Sequence, residues 1–132
     1  MAGFEPTTVG LPFRETRFTF KAQDIKAGDD GKAVTLVMGA DKNLVKLAEN
    51  TDPILGRIET VEVEMNGDVY VNVLMSGGMR LNCAVNEVFK AGDTVVPGAE
   101  AGLVKAGTPS TDLRFFVSEP DSSEGFVGVI KL

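Results

Sequence analysis

Glu59, Glu62 and Glu64, on one apparent strand, are the residues whose type and spacing come nearest to acid–base chemistry. Strand alternation puts Glu62 and Glu64 on one face, and paired carboxylates are what general acid–base or glycosidic hydrolysis requires. A solvated strand face carries the same pattern. The chain has no histidine, which removes Ser-His-Asp and Cys-His mechanisms. Cys83, the single cysteine, sits between Asn82 and Ala84 near apolar positions and reads as a small core residue rather than a nucleophile. A lone cysteine also excludes an intrachain disulfide and a cysteine-based metal site, and it fits a reducing compartment. The chain is therefore expected not to be an enzyme and to need no cofactor or metal.

Asp29, Asp30, Asp52, Asp68 and Asp93 all fall in turns. The Asp29-Asp30-Gly31 stretch lacks the regular ligand spacing and closing glutamate of an EF-hand loop. Local hydrogen bonding of Asp in turns accounts for these residues without calcium. Ser76-Gly77-Gly78 lies between β-type runs, with no following helix and no Gly-Lys-Ser/Thr, so it is read as a break or bulge rather than a phosphate loop.

The elements that would position these residues are strands. Turn clusters at 27–31, 39–43 and 50–53 separate an apolar run at 33–38 from one at 44–47. Residues 54–65 alternate apolar with acidic, with a change of phase near Thr60, and Asn66-Gly67-Asp68 is a hairpin signal. Val69, Val71 and Val73 then alternate with Tyr70, Asn72 and Leu74. Residues 86–90 are compatible with one short helical turn, and 42–50 could read as helix or strand.

An internal resemblance bears on that ambiguity. Lys26-Ala27-Gly28-Asp29, Gly39-Ala40 and Leu44-Val45-Lys46 recur in order as Lys90-Ala91-Gly92-Asp93, Gly98-Ala99 and Leu103-Val104-Lys105. Downstream, Ile54–Ile58 matches Leu113–Val117, and Val69–Leu74 matches Phe126–Ile130. In the second copy Gly102, Gly107 and Pro109 crowd the Leu103–Lys105 stretch and oppose a helix, so Leu44–Leu47 is expected to be a strand. The predicted fold is mainly β: a small β-barrel or β-sandwich built from two related halves, about 26–81 and 90–132, within one β domain at 21–132.

Residues 1–20 differ. Pro6, Gly10 and Pro12 oppose regular structure, while Phe4, Phe13, Phe18 and Phe20 are four of the eight phenylalanines. The segment reads as an extended N-terminal arm, with Phe18-Thr19-Phe20 able to enter a strand. Phe4, Pro6, Pro12, Phe13, Phe18 and Phe20 are the candidate partner-binding residues, by docking on a neighbour or by folding back on their own domain.

The net charge of −6 argues against nucleic-acid binding. The first ten residues lack the basic and apolar regions of a signal peptide, and no apolar run reaches membrane-spanning length.

The unit Ala91-Gly92-Asp93-Thr94-Val95-Val96, the following Gly102-Leu103-Val104-Lys105, the closing Gly125-Phe126-Val127-Gly128-Val129-Ile130 and the first-copy stretch Asp52-Pro53-Ile54-Leu55-Gly56-Arg57-Ile58 together resemble the head decoration, or cement, proteins of tailed bacteriophages. The resemblance covers roughly residues 26–132. It implies a virion protein, made in the host cytoplasm, that joins the outer capsid surface and bridges major capsid protein subunits, often as a homotrimer, with its arm reaching onto the shell. A glycan- or receptor-binding β module is the alternative, weakened by the absence of Trp and the presence of only one Tyr, Tyr70.

Overall fold

The computed structural model describes residues 15–40, 42–109 and 115–132. The described residues form nine strands: β1 (Thr16–Ala22), β2 (Ala33–Leu36), β3 (Leu44–Leu47), β4 (Gly56–Val63), β5 (Val69–Asn82), β6 (Asp93–Pro97), β7 (Val104–Pro109), β8 (Phe115–Glu119) and β9 (Phe126–Lys131). The mainly β expectation holds, and Leu44–Leu47 is a strand. Residues 86–90 are not a helical turn: Glu87 N donates to the Ala84 carbonyl at 3.1 Å in a plain turn, with Asn86 at φ 63°.

Strands β1 to β5 close on themselves. β1 pairs in parallel with β3, and β3 pairs antiparallel with β2. β2 pairs with β4, β4 with β5, and β5 returns to β1. Closure removes the exposed edges of an open sheet. Phe20, Ile25, Val34, Val45, Ile58, Val71 and Val73 fill the interior.

The expected break at Ser76-Gly77-Gly78 is absent. β5 runs uninterrupted for 14 residues and changes partners there. Its first part pairs with β1 and β4, and Gly77–Asn82 pairs antiparallel with β9. The odd-numbered positions from Val71 to Leu81 are buried or half-buried on one face throughout, so one strand lines both halves.

The second half reproduces the arrangement of the first. β6 and β7 form the hairpin that β2 and β3 form, and β8–β9 stands in for β4–β5. The later part of β5 takes the place of β1. Leu81 lies opposite Val127 as Phe20 lies opposite Val71, and Met79 opposite Val129 as Phe18 opposite Val73. The parallel bridge Cys83–Val104 matches the Ala22–Val45 pair. Even the bulges coincide: the β4 register shifts between Ile58 and Thr60, where the sequence changes phase, and the β8 register shifts between Val117 and Glu119. β6 lies against β8, with Gly92 N donating to the Val117 carbonyl at 2.9 Å. The second core contains Leu81, Phe89, Val95, Val104, Val117, Val127 and Val129, each the counterpart of one residue in the first.

Both Lys-Ala-Gly-Asp segments close in the same way. The aspartate carboxylate accepts the lysine amide, at 3.0 Å for Asp29 and 2.9 Å for Asp93, and the aspartate amide donates back to the lysine carbonyl. Gly28 and Gly92 turn the chain at φ 96° and 90°, a region costly for residues with a Cβ.

Beyond the shared strand, the halves are locked by the β6–β7 turn. Gly102 N donates to the Ala48 carbonyl at 2.8 Å, Ala33 N donates to the Gly102 carbonyl at 2.9 Å, and Ala48 N donates to the Ala33 carbonyl at 3.0 Å. Ala33, Ala48, Leu74, Met79 and Cys83 are buried between the two interiors.

Candidate interaction surfaces

The chemical candidates do not converge. Glu59 is the extra residue of the β4 bulge; its carboxylate accepts from Arg57 Nη1 at 2.8 Å and Arg17 Nη2 at 3.4 Å. Glu62 is exposed opposite Tyr70, and Glu64 lies past the strand end, where its amide donates to the Asp68 carbonyl. Asp29, Asp52, Asp68 and Asp93 serve the backbone or nearby lysines: Asp52 accepts the Glu49 amide at 3.1 Å, and Asp68 lies 3.7 Å from Lys21 Nζ. Among the described residues, no group of three or more Cys, Asp or Glu side chains is arranged to hold a metal ion.

Cys83 is buried, its amide bonded to the Gly125 carbonyl. Burial, and secondarily the charge of Glu87, push its thiol pKa up. That is opposite to the shift that activates a nucleophilic cysteine.

Of the arm residues, Phe4, Pro6, Pro12 and Phe13 lie outside the described residues. Phe18 and Phe20 belong to β1, so the boundary drawn at residue 20 falls inside a strand of the first barrel. Phe20 fills the core at 8% exposure, which corrects its assignment as a partner-contact residue: alternation turns it inward and the ladder to β5 holds it there. Phe18 shares its face of β1, with ring centroids 6.4 Å apart, yet stays 58% exposed.

Among the described residues, and apart from the C-terminal Leu132, exposed large apolar side chains gather at three places. At one barrel mouth Phe18 is joined by Leu36 and Met38, which lie at the end of β2 and in the turn that follows it. The second is the β4–β5 hairpin tip, where Val63 and fully exposed Met65 border an open hollow shared with Tyr70. The third is the loop after β5, which presents Val85 and Val88.

Ser122 ties that loop to the β8–β9 turn. Its Oγ donates to the Glu87 carbonyl, and its own carbonyl accepts the amides of Asn86 and Gly125. The hairpin tip and this loop stand at opposite ends of β5, about 40 Å apart at roughly 3.3 Å per residue.

A further hollow of about 110 Å³ is lined by Arg80, Glu119, Asp121, Glu124 and Phe126, with the Arg80 guanidinium 5.2 Å from the Phe126 ring centroid. It is smaller than the roughly 300–1,000 Å³ of small-molecule sites.

Sequence reasoning missed Val88, because residues 86–90 are compatible with a helical turn, and Val85, which falls in no candidate element, and it treated Met65 as the last alternating strand position. Single exposed apolar residues in loops leave no periodic signal.

The described strands form two related five-stranded β units in tandem that share β5. No family model matches the sequence, and no curated protein matches it significantly. A solved chain from the capsid of Myoviridae phage XM1 shares the fold, with a TM-score of 0.57 and 16% identity over 92% of this chain and 84% of that one.

Proposed function

We propose that this protein is a structural component of a phage virion. It binds the outer surface of the capsid, bridges neighbouring major capsid protein subunits, and acts there as a homotrimer without catalysing a reaction or using a cofactor. The observation that carries the reading is the fold shared with a chain of the phage XM1 capsid across 92% of this chain. Apolar sites at opposite ends of β5 support it, since a bridging protein needs separated contacts on one rigid body. Binding only the assembled shell stabilises that state by mass action. The protein is made in the host cytoplasm, where a single buried thiol suits reducing conditions.

The test is removal of residues 1–14, followed by measurement of occupancy on purified shells and of shell rupture temperature. Reduced occupancy and a lower rupture temperature are expected. Full occupancy with unchanged shell stability would sink the arm's role in binding.

A further inference from the structure

The β4–β5 hairpin turns on Asn66-Gly67. Glu64 N donates to the Asp68 carbonyl at 2.7 Å, and Gly67 N donates to the Glu64 carbonyl at 3.0 Å. This is a three-residue hairpin loop, a type I turn followed by a left-handed residue. Gly67 takes the left-handed position at φ 91°, which is costly for a residue with a Cβ. Asp68 holds the Asn66 side chain in place. Asn66 Oδ1 accepts the Asp68 amide at 2.9 Å, and Nδ2 donates to an Asp68 carboxylate oxygen at 3.3 Å.

The turn therefore demands a pair of residues whose side chain and backbone can react with each other. The hydrogen bond accepted at Oδ1 polarises the Asn66 side-chain carbonyl. The next backbone amide, that of Gly67, can close a five-membered ring on that carbonyl carbon. Asn66 and Gly67 are exposed, and a Cβ built on Gly67 would meet no atom within 4 Å. The bond that restrains the Gly67 amide lies at the hairpin tip, beyond the last ladder pair, Val63–Val69, where local opening costs little.

The other asparagines differ. Asn43, Asn50, Asn72, Asn82 and Asn86 each precede a residue with a side chain, which hinders the ring closure. The matching turn of the second barrel, Ser122–Gly125, contains no asparagine, and Ser122 is tied to the Glu87 carbonyl.

We propose that Asn66 is a site of spontaneous deamidation on the folded protein. When the tip opens, the Gly67 amide gives its proton to hydroxide and its nitrogen attacks Asn66 Cγ. The N–Cγ bond forms and the Cγ–Nδ2 bond breaks. Nδ2 takes a proton from water, which regenerates hydroxide, and leaves as ammonia. Water then opens the resulting succinimide. Cleavage at Cγ gives aspartate at position 66. Cleavage at the backbone carbonyl gives isoaspartate, in which the main chain runs through the former side chain.

Either product adds one negative charge to a chain of net charge −6, beside Glu64 and Asp68 and next to the exposed Met65. Its consequence for attachment rests on the capsid reading: an ageing molecule gains charge at one of its apolar contact places. The modification itself does not rest on that reading.

The test incubates the full chain in warm, mildly alkaline buffer. Ion-exchange chromatography reads the added charge, and peptide mapping by mass spectrometry locates it and separates aspartate from isoaspartate. Loss of the Asn66 amide is expected while the other five asparagines are retained, and it should quicken as the pH rises. Cys83 should stay closed to a disulfide reagent throughout, which separates opening of the tip from global unfolding. Gly67→Ala, for which there is space, and Asn66→Gln, which would need a larger ring, are each expected to keep the amide. Circular dichroism confirms folding of both variants.

An Asn66 amide that lasts as long as the other five overturns the proposal. So does loss that advances only in step with Cys83 labelling, and so does equal amide loss in the wild type and both variants.

Discussion

Asp29 and Asp93 close identical turns in successive barrels, each carboxylate accepting the amide of the lysine three residues before it. Asp29 also accepts Lys32 Nζ at 2.9 Å. Burial pushes its carboxyl pKa up, but the Lys26 amide and the Lys32 ammonium outweigh burial and hold it below the ordinary carboxylate value. A depressed folded-state pKa adds stability that is fully present above the unfolded value, about 3.9, and lost as the pH falls through the folded value. Asp29→Ala is expected to cost about 1–3 kcal/mol at pH 7, the penalty for unpairing buried donors. Urea melts should show the gap between wild type and variant narrowing as the pH is lowered past 4. A pH-independent gap would contradict this assignment.

Cys83 reports on the junction between the barrels. Its buried thiol, with its pKa pushed up, is expected to react with a disulfide reagent only when the junction opens. Labelling should accelerate steeply in sub-denaturing urea. Immediate labelling in buffer would show that the two halves are not locked together.

Gly102 is the hinge of that lock. Its φ is +85°, and a Cβ there would meet Lys32 side-chain carbons at 2.9 and 3.0 Å and Leu47 Cδ2 at 3.2 Å. Gly28 has a similar φ of +96° but open space around it. Gly28→Ala is expected to cost about 1–2 kcal/mol from backbone strain alone. Gly102→Ala should cost more and should also speed Cys83 labelling, an effect Gly28→Ala should not share. Equal losses with no change in labelling would count against a role for Gly102 in the junction.

Truncations separate arm from barrel. Removing residues 1–14 leaves every described strand intact. Removing 1–20 deletes most of β1 and Phe20 from the first core, a loss on the scale of about 3–5 kcal/mol for the phenylalanine alone. Calorimetry of the two truncations checks this, and equal melting temperatures would contradict the placement of β1.

The sequence patterns made some of this legible for definite reasons. The Lys-Ala-Gly-Asp turns stood out because a positive φ and a local carboxylate cap demand particular residues. The phase change at Thr60 showed because a bulge shifts the alternation by one. Leu44–Leu47 was recovered only through its glycine-flanked counterpart at Leu103–Lys105.

The shared strand was misread because glycines at 77 and 78 usually end a strand, whereas here the strand continues and changes partners. The clue lay in the odd-numbered apolar positions, which keep their phase from Val71 through Leu81. The barrel mouth at Phe18 was out of reach, since exposure depends on what a neighbouring barrel covers, and no local pattern encodes that.

The most direct test of the central claim is co-sedimentation of the full chain with expanded shells assembled from its candidate partner, the major capsid protein. Saturable binding to shells, no binding to unassembled capsid protein, and a raised shell rupture temperature are expected. Failure to bind at any salt concentration, or equal binding to unassembled subunits, would contradict the reading of this protein as a bridge on an assembled capsid.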